Sequence, residues 1–294
     1  MANVKIVTDS CSDLGKDIRE KYDIEYVRMN TVYKDEETPA SLDWEYYSPK
    51  ELYDIMRNGE RVLTTQVPTE EFKNVFTKFL EEGNDIVYIG CSAKLSGSIN
   101  IGTMVAKELM EKYPERTIKC IDALNSCMGE GALTVYAANL RNEGLSAEEI
   151  ANKVIEVRLN VNQFATVHSL EFLKRAGRVT ASSAFFGNML GVKPILISDK
   201  NGANTPIKKV KGRENSLREI VNQLKETIVD AENQTIFLAH ADCQEDADFV
   251  KSLVEQEIPC KDIYVNYIGP IIGASVGPGT VGLFAFGKEV TVEA

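Results

Sequence analysis

The feature of this sequence that most constrains its fold is a regular alternation of short β-branched runs with longer stretches of helical spacing. The run from Val4 to Thr8 is followed by a charged helical pattern, and the same order returns after Ile86 to Ile89. Capping boxes that begin at Ser48 and Ser146 mark two of the helix starts. Such alternation favours a mostly parallel sheet with helices on both faces, so we predict an α/β domain over residues 1–160.

The second part of the chain has a different pattern. The Asn201-Gly202 turn between two apolar runs predicts a β-hairpin, FFGNML at 185–190 has helical character, and two longer helical stretches are flanked by apolar strands. A polar break at Asn160 to Gln163 puts the boundary near residue 160. We therefore predict a fold of the α/β class with two α/β domains, the second over residues 161–294 with a mixed sheet covered by helices.

Charge and hydropathy argue against two classes of partner. The 294 residues include 33 lysines and arginines against 44 aspartates and glutamates, a formal net charge of −11. Attraction to a phosphate backbone is therefore unfavourable overall, and we expect no nucleic-acid partner. The sequence has no signal-peptide pattern, and Pro270 and Pro278 interrupt its apolar stretch from Gly269 to Gly287. We expect a cytoplasmic protein without an integral membrane segment.

The residues that most often carry metal or cofactor chemistry are scarce. Six cysteines are dispersed without a CxxC pair, and the only histidines are His168 and His240, which disfavours zinc binding and a disulfide framework. Gly277 to Gly282 matches GxGxxG, but LFAF follows it where a dinucleotide-binding loop would open a helix. The sequence also lacks an ATP-binding P-loop motif. We therefore expect no cofactor.

Two hydroxyl-rich loops are candidate anion sites. Leu95-Ser96-Gly97-Ser98 lies between a strand and the helix that follows, and Thr64 to Thr69 also precedes a helix. Hydroxyls, backbone N–H groups and the positive end of a helix dipole together favour an anion. Ordinary helix capping accounts for the same residues, and the sequence leaves both interpretations open.

A serine hydrolase is an alternative from another functional class. Gly90-Cys91-Ser92-Ala93-Lys94 begins like the GxSxG nucleophile elbow, but Lys94 replaces the glycine that lets strand and helix approach closely. In this alternative, Ser92 or Ser96 is the nucleophile.

Two local basic segments stand out from the acidic background. Such runs are usually solvated faces, and in an acidic chain they also suit a phosphate or an acidic partner. The segments comprise Lys174, Arg175 and Arg178 in one place and Lys208, Lys209, Lys211 and Arg213 in another.

Seven segments, taken in order, resemble the DegV family, whose members include the fatty-acid-binding subunits of bacterial fatty acid kinase. They cover almost the whole chain, and as a set they are far more specific than any one motif. The segments are VTDSCSDL from Val7, TTQVPT from Thr64, LSGS from Leu95, IDALNSCMGEG from Ile121, LEFLKRAGRV from Leu170, KPIL from Lys193 and IGPIIGASVGPGTVGL from Ile268.

The resemblance implies two α/β domains with a fatty acid held between them by its carboxylate. The family holds this group with a hydroxyl from a TSQP-like segment, a serine near LSGT and a histidine in an SHVGPG-like segment. Here Thr64 or Thr65 and Ser96 match, with Gly97 in the same loop and Ser92 nearby. Ser275 stands where the family has its histidine.

The resemblance further implies a carrier without a catalytic constellation of its own. It would present a long-chain fatty acid to a separate ATP-dependent fatty acid kinase for phosphorylation to acyl-phosphate. Arg178 matches the arginine of the family's GR[IV] segment, and we expect it to contact the kinase or the phosphate together with Lys209, Lys211 and Arg213. The alternative remains a serine esterase that acts on a lipid-like ester.

Overall fold

The computed structural model describes residues 3–180 and 191–293. The helix expected at 185–190 lies outside these residues. The strands are β1 (Asn3–Asp9), β2 (Ile24–Val27), β3 (Asn30–Tyr33), β4 (Glu36–Pro39), β5 (Leu63–Thr65), β6 (Asn84–Gly90), β7 (Ile118–Asp122), β8 (Val161–Thr166), β9 (Val192–Ser198), β10 (Asn204–Lys211), β11 (Thr235–His240), β12 (Asp262–Tyr267) and β13 (Val281–Phe286). The α-helices are α1 (Lys16–Lys21), α2 (Pro49–Arg57), α3 (Thr69–Glu81), α4 (Ser98–Lys112), α5 (Met128–Asn142), α6 (Ala147–Val157), α7 (Glu171–Ala176), α8 (Arg213–Thr227), α9 (Gln244–Glu257) and α10 (Pro270–Val276).

The first sheet is parallel and has the order β2-β1-β6-β7. Alternate residues of β6 point to opposite faces, as in any strand. Ile86 and Tyr88 pack with α3 and α4, whereas Val87 and Ile89 pack in the core that includes α5 and α6. The prediction of a parallel sheet with helices on both faces is therefore confirmed.

The second sheet is mixed and has the order β10-β9-β8-β13-β11-β12. Only β11 and β12 pair in parallel within it. The predicted hairpin joins β9 to β10, and Gly202 occupies the left-handed region with φ +81°. Apolar side chains of α8 and α9 cover one face of the sheet. The prediction of a mixed sheet covered by helices is also confirmed.

A small antiparallel sheet, β4-β3-β5, was not predicted. The two residues between β3 and β4, Lys34 and Asp35, have φ of +50° and +65° and form a two-residue hairpin turn. Such turns favour Asn-Gly or Asp-Gly, and Lys-Asp gives no comparable signal in the sequence. Through β5 this sheet carries Thr64 and Thr65.

Helix α5 lies between the two large sheets and contacts β1 on one side and β8, β11 and β13 on the other. At Gly131 the helix approaches the loop after β1 so closely that a Cβ atom would lie 2.8 Å from the carbonyl oxygen of Ser12. One apolar core therefore extends across residue 160. The division into domains 1–160 and 161–294 stays a prediction. None of the helices in the described residues is both long and apolar enough to span a bilayer.

Candidate functional site

A cavity of about 350 Å³, here called the central cavity, lies between the loops that follow β1 and β6 and the inner face of the mixed sheet. Its volume is within the range of small-molecule sites. Its lining residues are Cys11, Met29, Thr64, Thr65, Gln66, Cys91, Leu95, Ser96, Gly97, Ser126, Cys127, Gln163, Ala165, Val167, Leu173, Arg178, Leu196, Asn204, Ile268, Ile271, Ile272, Ser275, Val276, Thr280, Gly282 and Phe284.

The polar and apolar lining residues of the central cavity are unevenly placed. Arg178 is exposed and Thr64 and Ser275 are partly exposed, so these three lining residues mark an end of the cavity that is near to solvent. The same three residues also line an adjoining pocket of about 170 Å³. Aliphatic and aromatic side chains such as Leu196 and Phe284 form most of the remaining wall. This arrangement suits an amphipathic molecule with a polar head and an apolar body.

The two hydroxyl-rich loops, which both line the central cavity, are joined behind its wall by the buried Ser98. The hydroxyl of Ser98 accepts a hydrogen bond from the backbone N–H of Val67 at 3.0 Å and lies 3.0 Å from the hydroxyl of Ser96. Helix α4 begins at Ser98, and Gly97 at its N-cap offers no side chain for capping. Ser96 and the backbone of Gly97 therefore line the cavity beside the first turn of a 15-residue helix.

The two threonines of β5 differ in what they bind. The Thr65 hydroxyl donates to the carboxylate of Glu37 at 3.1 Å. Within the described residues the Thr64 hydroxyl has no hydrogen-bond partner, although Thr64 lines the cavity. Thr64 is therefore the better placed of the two to donate a hydrogen bond to a bound anion.

Arg178 and Ser275 complete the solvent end of the central cavity. The Nε of Arg178 donates to the carbonyl oxygen of Leu95 at 3.1 Å, which ties the segment after α7 to the Ser96 loop. Ser275 lies on α10 and contributes a neutral hydroxyl. Neither His168 nor His240 is among the lining residues.

Four other predicted site residues lie outside the cavity lining. Ser92 is fully buried, and its hydroxyl accepts a hydrogen bond from the Lys94 backbone. The Nη2 atom of Arg213 lies 2.7 Å from Oδ2 of Asp246 and also donates to the carbonyl oxygen of Gly279. The charge of Arg213 is therefore already paired. Lys209 and Lys211 lie on the edge strand β10.

Sequence reasoning missed several polar lining residues. Gln163 on β8 donates to the side-chain oxygen of Asn204 at 3.0 Å, and Asn204 donates to the carbonyl oxygen of Arg178. The sequence gave no separate signal for Gln163, because it was interpreted as part of the polar break at Asn160 to Gln163, whereas the structure places it in β8. The others are Gln66, Ser126 and Thr280.

Buried acids and thiols lie at and behind the inner wall of the cavity. Burial raises the pKa of Asp13 to about 8, while its carboxylate accepts the backbone N–H of Gly269 at 2.9 Å. Burial also raises the pKa of Glu130 and of the Cys127 thiol well above their usual ranges. The hydrogen bond with Cys91, together with burial, does the same for Cys11. The raised pKa values favour the neutral forms of these groups, which reduces the negative charge that would repel an anion.

The two candidate nucleophiles lack an adjacent base. A catalytic serine needs a general base within hydrogen-bond reach. The partners of Ser96 and Ser92 are a serine and backbone N–H groups, and in residues 3–180 and 191–293 no histidine or carboxylate is hydrogen-bonded to either hydroxyl. The same residues hold no group of three or more His, Cys, Asp or Glu side chains that could bind a metal ion.

A parallel and a mixed sheet that enclose one amphipathic cavity define an α/β protein with an internal candidate binding site. A family model described as an uncharacterised protein of the DegV family matches residues 3–288. The chain belongs to the DegV family, and the resemblance seen in the sequence is confirmed.

Relatives and solved structures of the family agree with this assignment. A DegV domain-containing protein of Clostridium perfringens is 36% identical and covers 98% of both chains. A DegV family protein from Thermus thermophilus, whose structure is described by its fatty acid binding, has a TM-score of 0.86 at 27% identity, over 98% of this chain and 100% of that one. DegV from Bacillus subtilis, described as a fatty acid binding protein, has a TM-score of 0.83 at 26% identity with the same coverage.

Proposed function

We propose that this protein binds a long-chain fatty acid in the central cavity, with the carboxylate at the solvent end. Ser96 and Thr64 donate hydroxyl hydrogen bonds to the carboxylate, and the backbone N–H of Gly97 lies at the favourable end of the α4 dipole. The single observation that carries the proposal is the meeting of the two hydroxyl loops at the solvent end of an otherwise mainly apolar cavity.

The energetics of the acyl chain support the proposal. Burial of apolar surface stabilises a complex by about 0.8 kcal/mol per methylene, so roughly ten methylenes contribute about 8 kcal/mol before the costs of association. The fatty acid binding described for the Thermus and Bacillus relatives supports the same ligand class here.

We further propose that the protein is a carrier and performs no chemistry on the lipid. It would present the carboxylate to a separate ATP-dependent fatty acid kinase in the cytoplasm. Arg178 is well placed for this role because it lies at the solvent end of the cavity, whereas Lys209, Lys211 and Arg213 would form a more distant part of the contact. We favour binding over ester hydrolysis because Ser92 and Ser96 lack a neighbouring base among the described residues.

Lipid extraction and a matched set of variants test the binding proposal. Mass spectrometry of purified protein should detect a fatty acid near one equivalent. Ser96→Ala and Thr64→Ala should each weaken binding by about 1.5 to 3 kcal/mol, roughly 10- to 150-fold, because each removes a hydrogen bond to a charged group. Thr65→Ala is the control, because the Thr65 hydroxyl is held by Glu37. Unchanged affinity in both Ser96→Ala and Thr64→Ala would refute the assignment.

The kinase proposal needs a separate test. Lys211→Glu reverses an exposed charge outside the cavity lining, so it should leave lipid affinity unchanged and slow phosphorylation by the fatty acid kinase of the same organism. Lys251→Glu on α9 is the matched charge control. Arg178→Glu should slow phosphorylation further and also weaken lipid binding, because Arg178 lines the cavity. If Lys211→Glu, Arg178→Glu and the control are all phosphorylated at the rate of the parent protein, the proposed contact between these basic residues and the kinase is ruled out.

A further inference from the structure

A second concave site, here called the α5 cleft, lies further along α5 than the central cavity. It encloses about 240 Å³ between α1, α5 and the strands β11, β12 and β13. Its lining residues are Ile18, Lys21, Tyr22, Ala132, Val135, Tyr136, Asn139, Asn233, Gln234, Thr235, Phe237, Lys261, Asp262, Tyr264 and Phe286, none of which lines the central cavity.

Aromatic rings form much of the wall of the α5 cleft. Tyr136 and Phe286 pack with ring centroids 5.6 Å apart, and Phe237 and Tyr264 pack with centroids 5.9 Å apart. Tyr22 is the fifth ring, and all but Phe237 are partly exposed to solvent. Partly exposed rings around a concavity offer faces and edges against which a planar aromatic group can pack.

The charges that line the α5 cleft favour an anion. Lys21 and Lys261 both line it, and in the part of the chain that the structure describes neither has a carboxylate partner. The Lys21 ammonium lies 5.1 Å from the centroid of the Tyr22 ring. Asp262 is the single carboxylate among the lining residues, and the nearby Asp17 already accepts a hydrogen bond from Tyr264 at 2.8 Å. Two lysines without a carboxylate partner among the described residues thus line one cleft in a chain with a net charge of −11.

We propose that the α5 cleft binds a small planar aromatic molecule that carries a negative group. The ring packs among Tyr22, Tyr136 and Phe286, and the anionic group lies between Lys21 and Lys261. The inference is independent of the proposed fatty acid binding, because it depends on different residues.

The α5 cleft also has a defined relation to the central cavity. Phe286 lies in the cleft and Phe284 in the cavity, two positions apart on β13, so both side chains project from the same face of that strand. The second site therefore lies on the same inner surface of the mixed sheet as the first.

A charged fluorescent probe and its uncharged counterpart test the proposal. We expect 8-anilinonaphthalene-1-sulfonate to bind the protein in the presence of saturating oleate, which occupies the central cavity if the proposed function is correct. The double substitution Lys21→Gln/Lys261→Gln should weaken this binding about tenfold through the loss of charge-assisted contacts. N-phenyl-1-naphthylamine has the same rings without the sulfonate, and its affinity should change less than about twofold.

Two further variants locate the bound probe. Tyr136→Ala should weaken both probes, because it removes part of the aromatic wall. Lys16→Gln is the matched control for the loss of charge at Lys21, since Lys16 also lies on α1 but outside the lining of the cleft. Equal sulfonate affinity in the parent and the double variant would overturn the proposal. Complete displacement of the sulfonate by oleate would also overturn it, because the sulfonate would then occupy the central cavity. Retention of both probes in the presence of oleate is the expected result, and the fatty acid site is tested separately by the binding of oleate to the parent protein.

Discussion

Asp13 is a single residue that joins two distant parts of the chain. It follows β1 with φ +52°, accepts the backbone N–H of Gly269 before α10, and through its own carbonyl oxygen accepts the side-chain amide of Asn266. Its second carboxylate oxygen is buried without a partner among the described residues. This environment favours the neutral carboxyl group.

The titration of Asp13 leads to a prediction about stability. Its folded-state pKa of about 8 is above the value of about 3.9 expected in the unfolded chain, so the folded state alone holds this proton between those two pH values. The stabilisation that Asp13 contributes to the free energy of unfolding is therefore fully present below pH 4. It declines by up to about 1.4 kcal/mol per pH unit as the pH rises toward 8.

Asp13→Asn should lack this contribution. Asparagine keeps the acceptor for Gly269 and tolerates a positive φ. Urea unfolding between pH 5 and 8 should show a steeper loss of stability in the parent than in the variant. Asp35→Asn, at an exposed turn with φ +65°, is the control and should behave as the parent. The same pH slope in all three proteins would show that Asp13 is ionised in the folded state.

At the same scale, the sequence predicted residue types better than residue roles. The hydroxyls of Thr64, Thr65 and Ser96 were candidate anion ligands, with helix capping left open as the alternative, and all three residues line the central cavity. The difference between Thr64 and Thr65 depends on Glu37, which reaches Thr65 through a hairpin that the sequence did not indicate. Contacts between distant segments set these roles, and no local pattern encodes them.

At the scale of elements, the helix starts illustrate what local sequence can determine. Both predicted capping boxes form, with the side chains of Ser48 and Ser146 accepting backbone N–H groups of Glu51 and Glu149. The antiparallel sheet β4-β3-β5 was missed because its strands are short and its turn is Lys34-Asp35. Local hydrogen bonds can be read from spacing, whereas short strands depend on partners elsewhere in the chain.

The capping box of α6 provides the second prediction. Ser146→Ala should lower the free energy of unfolding by about 1 kcal/mol, because the Glu149 backbone N–H loses its acceptor. Ser146→Asp keeps an acceptor at that position and should retain most of the stability. Chemical denaturation of the three proteins measures this difference. Equal midpoints for the parent and Ser146→Ala would mean that the cap contributes nothing measurable.

At the scale of the whole molecule, α5 makes the two halves interdependent. Its buried residues contact both large sheets, and the resulting core includes Val87 from the first sheet and Phe284 from the second. The sequence indicated two α/β halves from their different patterns, but it gave no sign that one helix serves both. Helical spacing shows that a helix has apolar faces and does not show which sheets they contact.

This shared core leads to the third prediction. The protein should unfold in one calorimetric transition, and a fatty acid at 100 times its dissociation constant should stabilise the folded state by about 2.7 kcal/mol and raise the midpoint by several degrees. The methyl ester of the same acid lacks an ionised carboxylate and should shift the midpoint less. Two separate transitions would contradict the shared core, and equal shifts by acid and ester would contradict the carboxylate site.

The position of β13 has a consequence for how the protein is made. This strand is central in the mixed sheet, between β8 and β11, yet it follows every other strand of that sheet in the chain. During synthesis, β8 to β10 and β11 to β12 can each pair before β13 exists, but they remain two fragments with open edges facing each other. Until residue 286 has left the ribosome, the open edges of β8 and β11 are exposed to pairing with other nascent chains. Insertion of β13 between them then pairs both edges at once.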